Sequence, residues 1–185
     1  MNSNWFKVVL KLLKVEYGKK FIMKGVPVIF NKPGAKMIIG NNVTIKSSFL
    51  SNLVGLYSRS IIITRTKDAI IRIGDNVGIS GVTIYARKGI EIGDNTLIGG
   101  NVKILDNDFH PLEIEARNMD DKEKIRAKEI LIGKNCFIGC NVLILKGTVL
   151  GDGCVVGAGA VVSGKFEENS LIAGNPAKLV EKISN

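Results

Sequence analysis

The stretch IGKNCFIGCNVLILKGTVLGDGCVVGAGAVVS, residues 132–163, decides the fold because it keeps a six-residue step without a slip. Ile132, Ile138, Ile144, Leu150, Val156 and Val162 each open a hexad with a bulky aliphatic side chain. The fifth place is small or slender: Cys136, Val142, Thr148, Cys154 and Ala160. The second place is mostly glycine, at Gly133, Gly139, Gly151 and Gly157. A period of six fits neither an amphipathic helix nor an alternating strand. It fits a hexapeptide β-helix, in which each repeat supplies one short strand and one corner.

Three hexads close one triangular coil of eighteen residues, and the next coil stacks on it at the inter-strand spacing of about 4.8 Å. Ile132 is then expected on Leu150, Ile138 on Val156 and Ile144 on Val162. The interior of such a prism is narrow, so one large and one small inward residue per face fill it. Glycine, asparagine and aspartate suit corners that need positive φ. A sandwich of evenly spaced short strands is the ordinary alternative; six hexads in phase argue against it.

Length and composition agree. The 185 residues suffice for one domain with a proper core, and 21 glycines suit a cornered fold. The net charge of +9 points to an anionic partner, or else to surplus solubilising lysine. With 6% aromatic residues and no interleaving of aromatic and basic positions, a nucleic-acid partner is not expected. Three cysteines, an odd number, speak against a disulfide scaffold and for a reducing, cytoplasmic setting. Cys136 and Cys154 are expected to stack in the core. No apolar run is long enough to span a membrane.

Residues 4–17, NWFKVVLKLLKVEY, read as a short amphipathic helix with Trp5, Val8, Val9, Leu12, Leu13 and Val15 on one side and Lys7, Lys11 and Lys14 on the other. It either caps the open end of the prism or lies on the anionic inner face of a membrane as a peripheral anchor. Lysines interrupt its apolar run, so it does not read as a signal peptide. Hexads recur from Ile39, Ile73 and Ile92, with one extra residue near Lys88–Gly89. Phase is lost through SSFLSNLVGLYSRS, residues 47–60, which reads as coils with imperfect corners. Three units follow: an N-terminal helix over 1–19, the prism over 20–170, and a C-terminal extension over 171–185 whose LIAGNPAKLVEKI reads as an extended turn leading into a short helix or strand.

A larger break separates Ile104 from Ile132, 28 residues later, where two hexads span 12. The intervening DNDFHPLEIEARNMDDKEKIRAKE, residues 106–129, is dense in charge and carries no hexad. Long loops inside compact repeats are functional or disordered. Because the repeat resumes in step, this one must project sideways. The chain's single histidine, His110, sits at its root. Histidine suits proton transfer near neutral pH, and Asp106, Asn107 and Asp108 are close enough in sequence to orient its ring.

The hexads, the DNDFHP excursion and the closing LIAGNPAKLV together resemble the left-handed β-helix acyltransferases, above all the sugar O-acetyltransferases that act on maltose, galactosides, O-antigen or capsular sugars. The resemblance covers roughly residues 60–180. It implies an all-β, left-handed parallel β-helix, a homotrimer with sites between neighbouring prisms, and acetyl-CoA as acyl donor with no metal. It casts His110 as the general base that deprotonates a sugar hydroxyl, and Asp108 or Asp106 as the carboxylate behind it, either of which would otherwise be a turn residue.

For the donor, the resemblance assigns Gly139 and Cys140 of FIGC, Ala158 of VGAG, Ser163 and Gly164 in place of a Thr-Lys pair, and Lys178 after the proline turn. Cys140 departs from the family's serine. Gly164 removes a cation that neighbouring Lys165 would replace, and Glu181 stands at a second basic position, leaving Lys182 to supply charge. For the acceptor, the family's asparagine and aspartate fall on Ser80 and Arg87, with Asn107 beside the histidine. A cation at Arg87 suits an acceptor carrying phosphate or carboxylate, unless it is plain surface charge.

Other functions of the same prism fit less well. A zinc site of the γ carbonic anhydrase kind needs three histidines. An ice-binding or scaffold prism should show regular threonine ladders and no excursion. An O-acetyltransferase of cell-surface polysaccharide assembly is the expected function, with an antibiotic-modifying acetyltransferase or an amino-sugar N-acetyltransferase as the alternatives.

Overall fold

The computed structural model describes residues 5–184, and in it short parallel strands wind into a three-sided prism. The first face carries Glu16–Tyr17, Lys36–Ile39, Ile70–Ile73, Gly89–Ile92, Ile130–Ile132, Val149–Leu150 and Lys165–Phe166. The second carries Ile22–Lys24, Thr44–Lys46, Gly78–Ser80, Leu97–Gly100, Phe137–Ile138, Val155–Val156 and Ser170–Gly174. The third carries Val28–Phe30, Ile61–Thr64, Thr83–Ala86, Lys103–Leu105, Leu143–Leu145 and Val161–Val162. The fold is a left-handed parallel β-helix.

The register follows the hexads. Ile132 pairs with Leu150, Ile138 with Val156 and Ile144 with Val162. Inward positions alternate large and small: Ile138, Ile144 and Val162 are fully buried, and so are Cys154 and, within 1%, Cys136, Val142 and Ala160. A hydrogen bond shared with Cys154, and then burial, push the Cys136 thiol up, so it is a core filler. Coils approach closely wherever the second place is glycine; a Cβ on Gly139 would lie 2.6 Å from the amide nitrogen of Ala158.

The edge between first and second faces is uniform. Its turns at 18–21, 40–43, 74–77, 93–96, 133–136 and 151–154 are all four residues long. Asn42, Asn76, Asn95 and Asn135 stack there with φ between 55 and 60°, a conformation asparagine tolerates better than most residues. Each donates its side-chain amide to the next at 2.9, 2.9 and 3.2 Å.

The other two edges each release a loop. Residues 47–60 are not imperfect coil corners: Ile45 pairs with Ile79, 34 residues on rather than 18, so this is a second excursion between the second and third faces. It folds flat along its edge. Buried Leu56 meets Gly81 and Gly100, Tyr57 Oη donates to Asn141 Oδ1 at 2.5 Å, and Asn101 clamps the backbone through Tyr57 N and Gly55 O. The phase signal failed because these contacts depend on side chains from coils far along the sequence.

Helix α1, Phe6–Leu12, buries Phe6 and Leu10, with Val15 after it, against the first coil. It therefore caps the prism, but through a different stripe from the one expected: Trp5, Val8 and Leu12 are exposed, and Asn4 lies outside the described residues. No helix among the described residues is long and apolar enough to cross a membrane. At the other end the chain turns at Asn175–Pro176, and Ala177–Lys182 runs back antiparallel to Ser170–Gly174, so the extension is a β-hairpin.

Candidate functional site

The edge between third and first faces holds the 106–129 excursion. Ile92 pairs with Ile132, 40 residues on, which is 22 more than a plain coil. The loop's ends meet at a neck: Asn107 bridges Ala127, Asp108 N donates to Arg126 O, and Lys128 N to Asp106 O. The projection expected from the resumed phase follows from this closure.

Asp106 makes the neck. It is fully buried and extends an inward stack of Asn31, Thr64 and Ala86. Its carboxylate accepts the backbone N–H groups of Arg87, Lys88 and Gly89 at 2.6–3.0 Å and the Asn107 side-chain amide at 3.0 Å. Those donors satisfy the buried oxygens and hold the extra residue near Lys88 in place. Of the two roles left open by the sequence, Asp106 is seen in the turn role, with both carboxylate oxygens occupied by these donors.

Asn107 spends its oxygen on Phe109 N at 2.9 Å, which fixes Phe109 at a φ of 63°. His110 N then donates to Asp108 O at 2.7 Å. The His110 side chain is exposed and makes no hydrogen bond among the described residues. Asp108 pairs with Lys146, and its second oxygen, Oδ2, is buried without a partner. Past the histidine, α2, Ile114–Asn118, places Arg117 so that its guanidinium donates to Pro111 O at 3.2 Å and Leu112 O at 2.9 Å. The chain behind His110 is thereby held from both sides.

Lys146 was missed by sequence reasoning. With Leu105 paired to Leu145, position 146 lies over position 106 once the excursion is set aside, so the signal was a register of 40 rather than a motif.

The expected donor residues divide between two edges. Cys140 and Ala158 lie between second and third faces, Ala158 exposed and Cys140 half-buried. Ser163, Gly164 and the start of Lys165 lie at the edge that carries His110, all exposed. Gly139 serves close packing against Ala158. Lys178 is exposed on the hairpin, opposite Ala173. Lys182 is engaged with Glu167 at 3.1 Å and the Glu168 carbonyl at 2.8 Å.

The expected acceptor residues divide likewise. Ser80 is buried at the edge between second and third faces, where Asn52 donates to its hydroxyl at 3.1 Å. Arg87 is at the opposite edge, its Nη2 donating to Lys122 O at 3.0 Å. One chain does not bring the two together.

Comparison with known proteins follows the geometry. Residues 129–164 match the family described as bacterial transferase hexapeptide (six repeats). No curated protein sequence gives a significant match. Among solved structures, AntD, an N-acyltransferase from Bacillus cereus in complex with dTDP and 3-hydroxybutyryl-CoA, is similar over 100% of this chain and 92% of its own, at 22% identity and a TM-score of 0.73. A maltose O-acetyltransferase from Clostridium difficile 630 is similar over 97% and 75%, at 23% identity and a TM-score of 0.59. A hexapeptide-repeat acetyltransferase from Vibrio cholerae complexed with acetyl coenzyme A covers 97% and 76%, at 19% identity and a TM-score of 0.57. These likenesses bear on the fold, which is the hexapeptide-repeat acyltransferase fold.

Proposed function

We propose that this chain is a coenzyme A-dependent acyltransferase that moves an acetyl group from acetyl-CoA to a hydroxyl of a sugar acceptor, in cell-surface polysaccharide assembly. The observation that carries the reading is the placement of the only histidine: exposed, at the root of a clamped excursion, two residues after a carboxylate with one unpartnered oxygen.

In this reading the His110 imidazole takes the hydroxyl proton while the acceptor oxygen forms its bond to the thioester carbonyl carbon. The tetrahedral oxyanion collapses, the C–S bond breaks, and the CoA sulfur takes the proton from the imidazolium. Asp108 is the carboxylate we assign to the imidazolium, since Asp106 has no free lone pair to offer. Lys146 forms an ion pair with that carboxylate and holds its first oxygen in place.

The separation of Cys140 and Ala158 from His110 supports a site completed between chains. In a closed ring each protomer shows one edge to one neighbour and a different edge to the other, so the base of one chain can meet the donor cradle of the next. A homotrimer is the ring we assign. A second reading, transfer to an amine of a sugar, is favoured by the end-to-end match with AntD, which exceeds that with the maltose enzyme.

Incubation with labelled acetyl-CoA and matched neutral, amino and nucleotide-linked sugars tests both readings. Label on a hydroxyl, lost in His110→Ala, supports the first. Label on an amine selects the second, and no transfer to any sugar rejects both.

A further inference from the structure

Below the excursion, on the coils before it, the outward positions of the third-to-first edge form a ladder. The pairings Phe30 with Ile63 and Ile63 with Tyr85 put Lys32, Arg65 and Arg87 in register on three successive coils. They rise in steps of about 4.8 Å. Like charges stacked directly opposite one another repel. Among the described residues none of these three forms an ion pair.

The same three cations line a cavity of about 360 Å³ whose roof is the excursion's Lys122, Glu123 and Ile125. Arg87 is fixed to that roof by its bond to the Lys122 carbonyl. Glu123 is the one carboxylate in the lining, and Lys122 is paired with Asp120. Tyr85 and Phe109, their ring centroids 4.8 Å apart and their planes tilted by 50°, add an aromatic wall to the lining, Phe109 being the residue before His110.

We propose that this cavity binds a diphosphate group on the acceptor, of the kind that links a sugar to a nucleoside or to a lipid carrier. A single phosphate or carboxylate spans one step of the ladder; a diphosphate presents oxygens to successive steps and neutralises the repulsion along them. The position suits the acceptor rather than the donor, because the coils before His110 hold the ladder while Cys140, Ala158 and Ser163 lie on the coils after it. The inference rests on the acyltransferase reading for the word acceptor, and on the ladder alone for the diphosphate.

Calorimetric titration of the full chain with uridine diphosphate, without CoA, tests it. The wild type should bind, with Arg65→Ala and Lys32→Ala each weakening binding by about tenfold or more. Arg65→Lys should stay close to wild type, and Lys36→Ala, on the first face, should bind normally. Uridine should not bind and inorganic phosphate should bind far more weakly. Tighter binding of uridine diphosphate than of farnesyl diphosphate assigns a nucleotide source, and the reverse assigns a lipid carrier. Unchanged binding in both alanine variants, or displacement of uridine diphosphate by CoA, overturns the proposal. His110→Ala should bind uridine diphosphate as the wild type does, so a failed base assignment and a failed pocket give different results.

Discussion

The edge between first and second faces and the edge between third and first faces are built from the same coils, yet they have opposite characters. The first repeats one four-residue turn six times and ties four successive coils together with an asparagine ladder. The second changes length at almost every coil, releases 22 extra residues once, and collects the histidine, a buried carboxylate and a ladder of cations. Each coil touches only its neighbours, so an edge can lengthen at one level without disturbing the levels above and below. One edge is therefore built for stability, and the other is the one to which we assign the chemistry.

Substitutions at the two edges should separate these roles. His110→Ala is expected to lower acetyl transfer by about 10²–10⁴-fold while thermal unfolding stays unchanged; turnover near wild type would remove the histidine from the mechanism. Asp106→Ala should strip three backbone amides of their acceptor and cost about 3 kcal/mol by urea unfolding. It should also lower transfer by loosening the neck, so the chemical edge would then show a stability effect at one residue. Leu56→Ala, on the remaining edge, should cost about 2 kcal/mol, because its side chain is buried under the flat excursion.

On the uniform edge, Asn95→Ala should cost about 1–2 kcal/mol, since it forces an alanine into positive φ and breaks the ladder. Its transfer rate should be that of the wild type; a drop would mean that the two edges are coupled. The smallest effect concerns pH. The Asp94 carboxyl is held below its ordinary value first by the Asp75 backbone N–H, at 2.9 Å, and then by Lys134. Its depressed folded value makes its contribution present above the unfolded carboxylate range and lost as pH falls through the folded value. Asp94→Asn should therefore lower stability slightly at neutral pH and flatten the acid limb of the stability curve, the variant and the wild type converging in acid.

Much of the prism was legible because its information is local. An aliphatic residue every six positions fixes which side chains face inward, and the observed pairing of Ile132 with Leu150 required nothing else. The 106–129 excursion was legible as a break in that rhythm, and His110 as the one histidine beside it. Residues 47–60 were misread because Asn101, Asn141 and Ser80, far along the chain, hold them. Asp106 and Asp108 are two positions apart, and sequence gives no means of telling which faces the interior. The stack through Thr64 and Ala86 decides it, placing Asp106 among backbone amides and leaving Asp108 to Lys146. The cation ladder needed the true register, which the two excursions conceal.

The C-terminal hairpin bears on a hazard shared by all stacked parallel strands. A last coil with a free strand edge is a template on which another chain can add, and a prism that grew in this way would become a fibre. Here Ala177–Lys182 occupies the hydrogen-bonding edge of Ser170–Gly174 and reverses the strand direction. On that face an added parallel coil finds the place taken by an antiparallel strand with five of its six residues exposed and both Lys178 and Lys182 among them. At the opposite end α1 lays a buried phenylalanine and leucine over the first coil. The repeat by itself sets no number of coils; these two elements close the stack at its ends against the addition of a further coil.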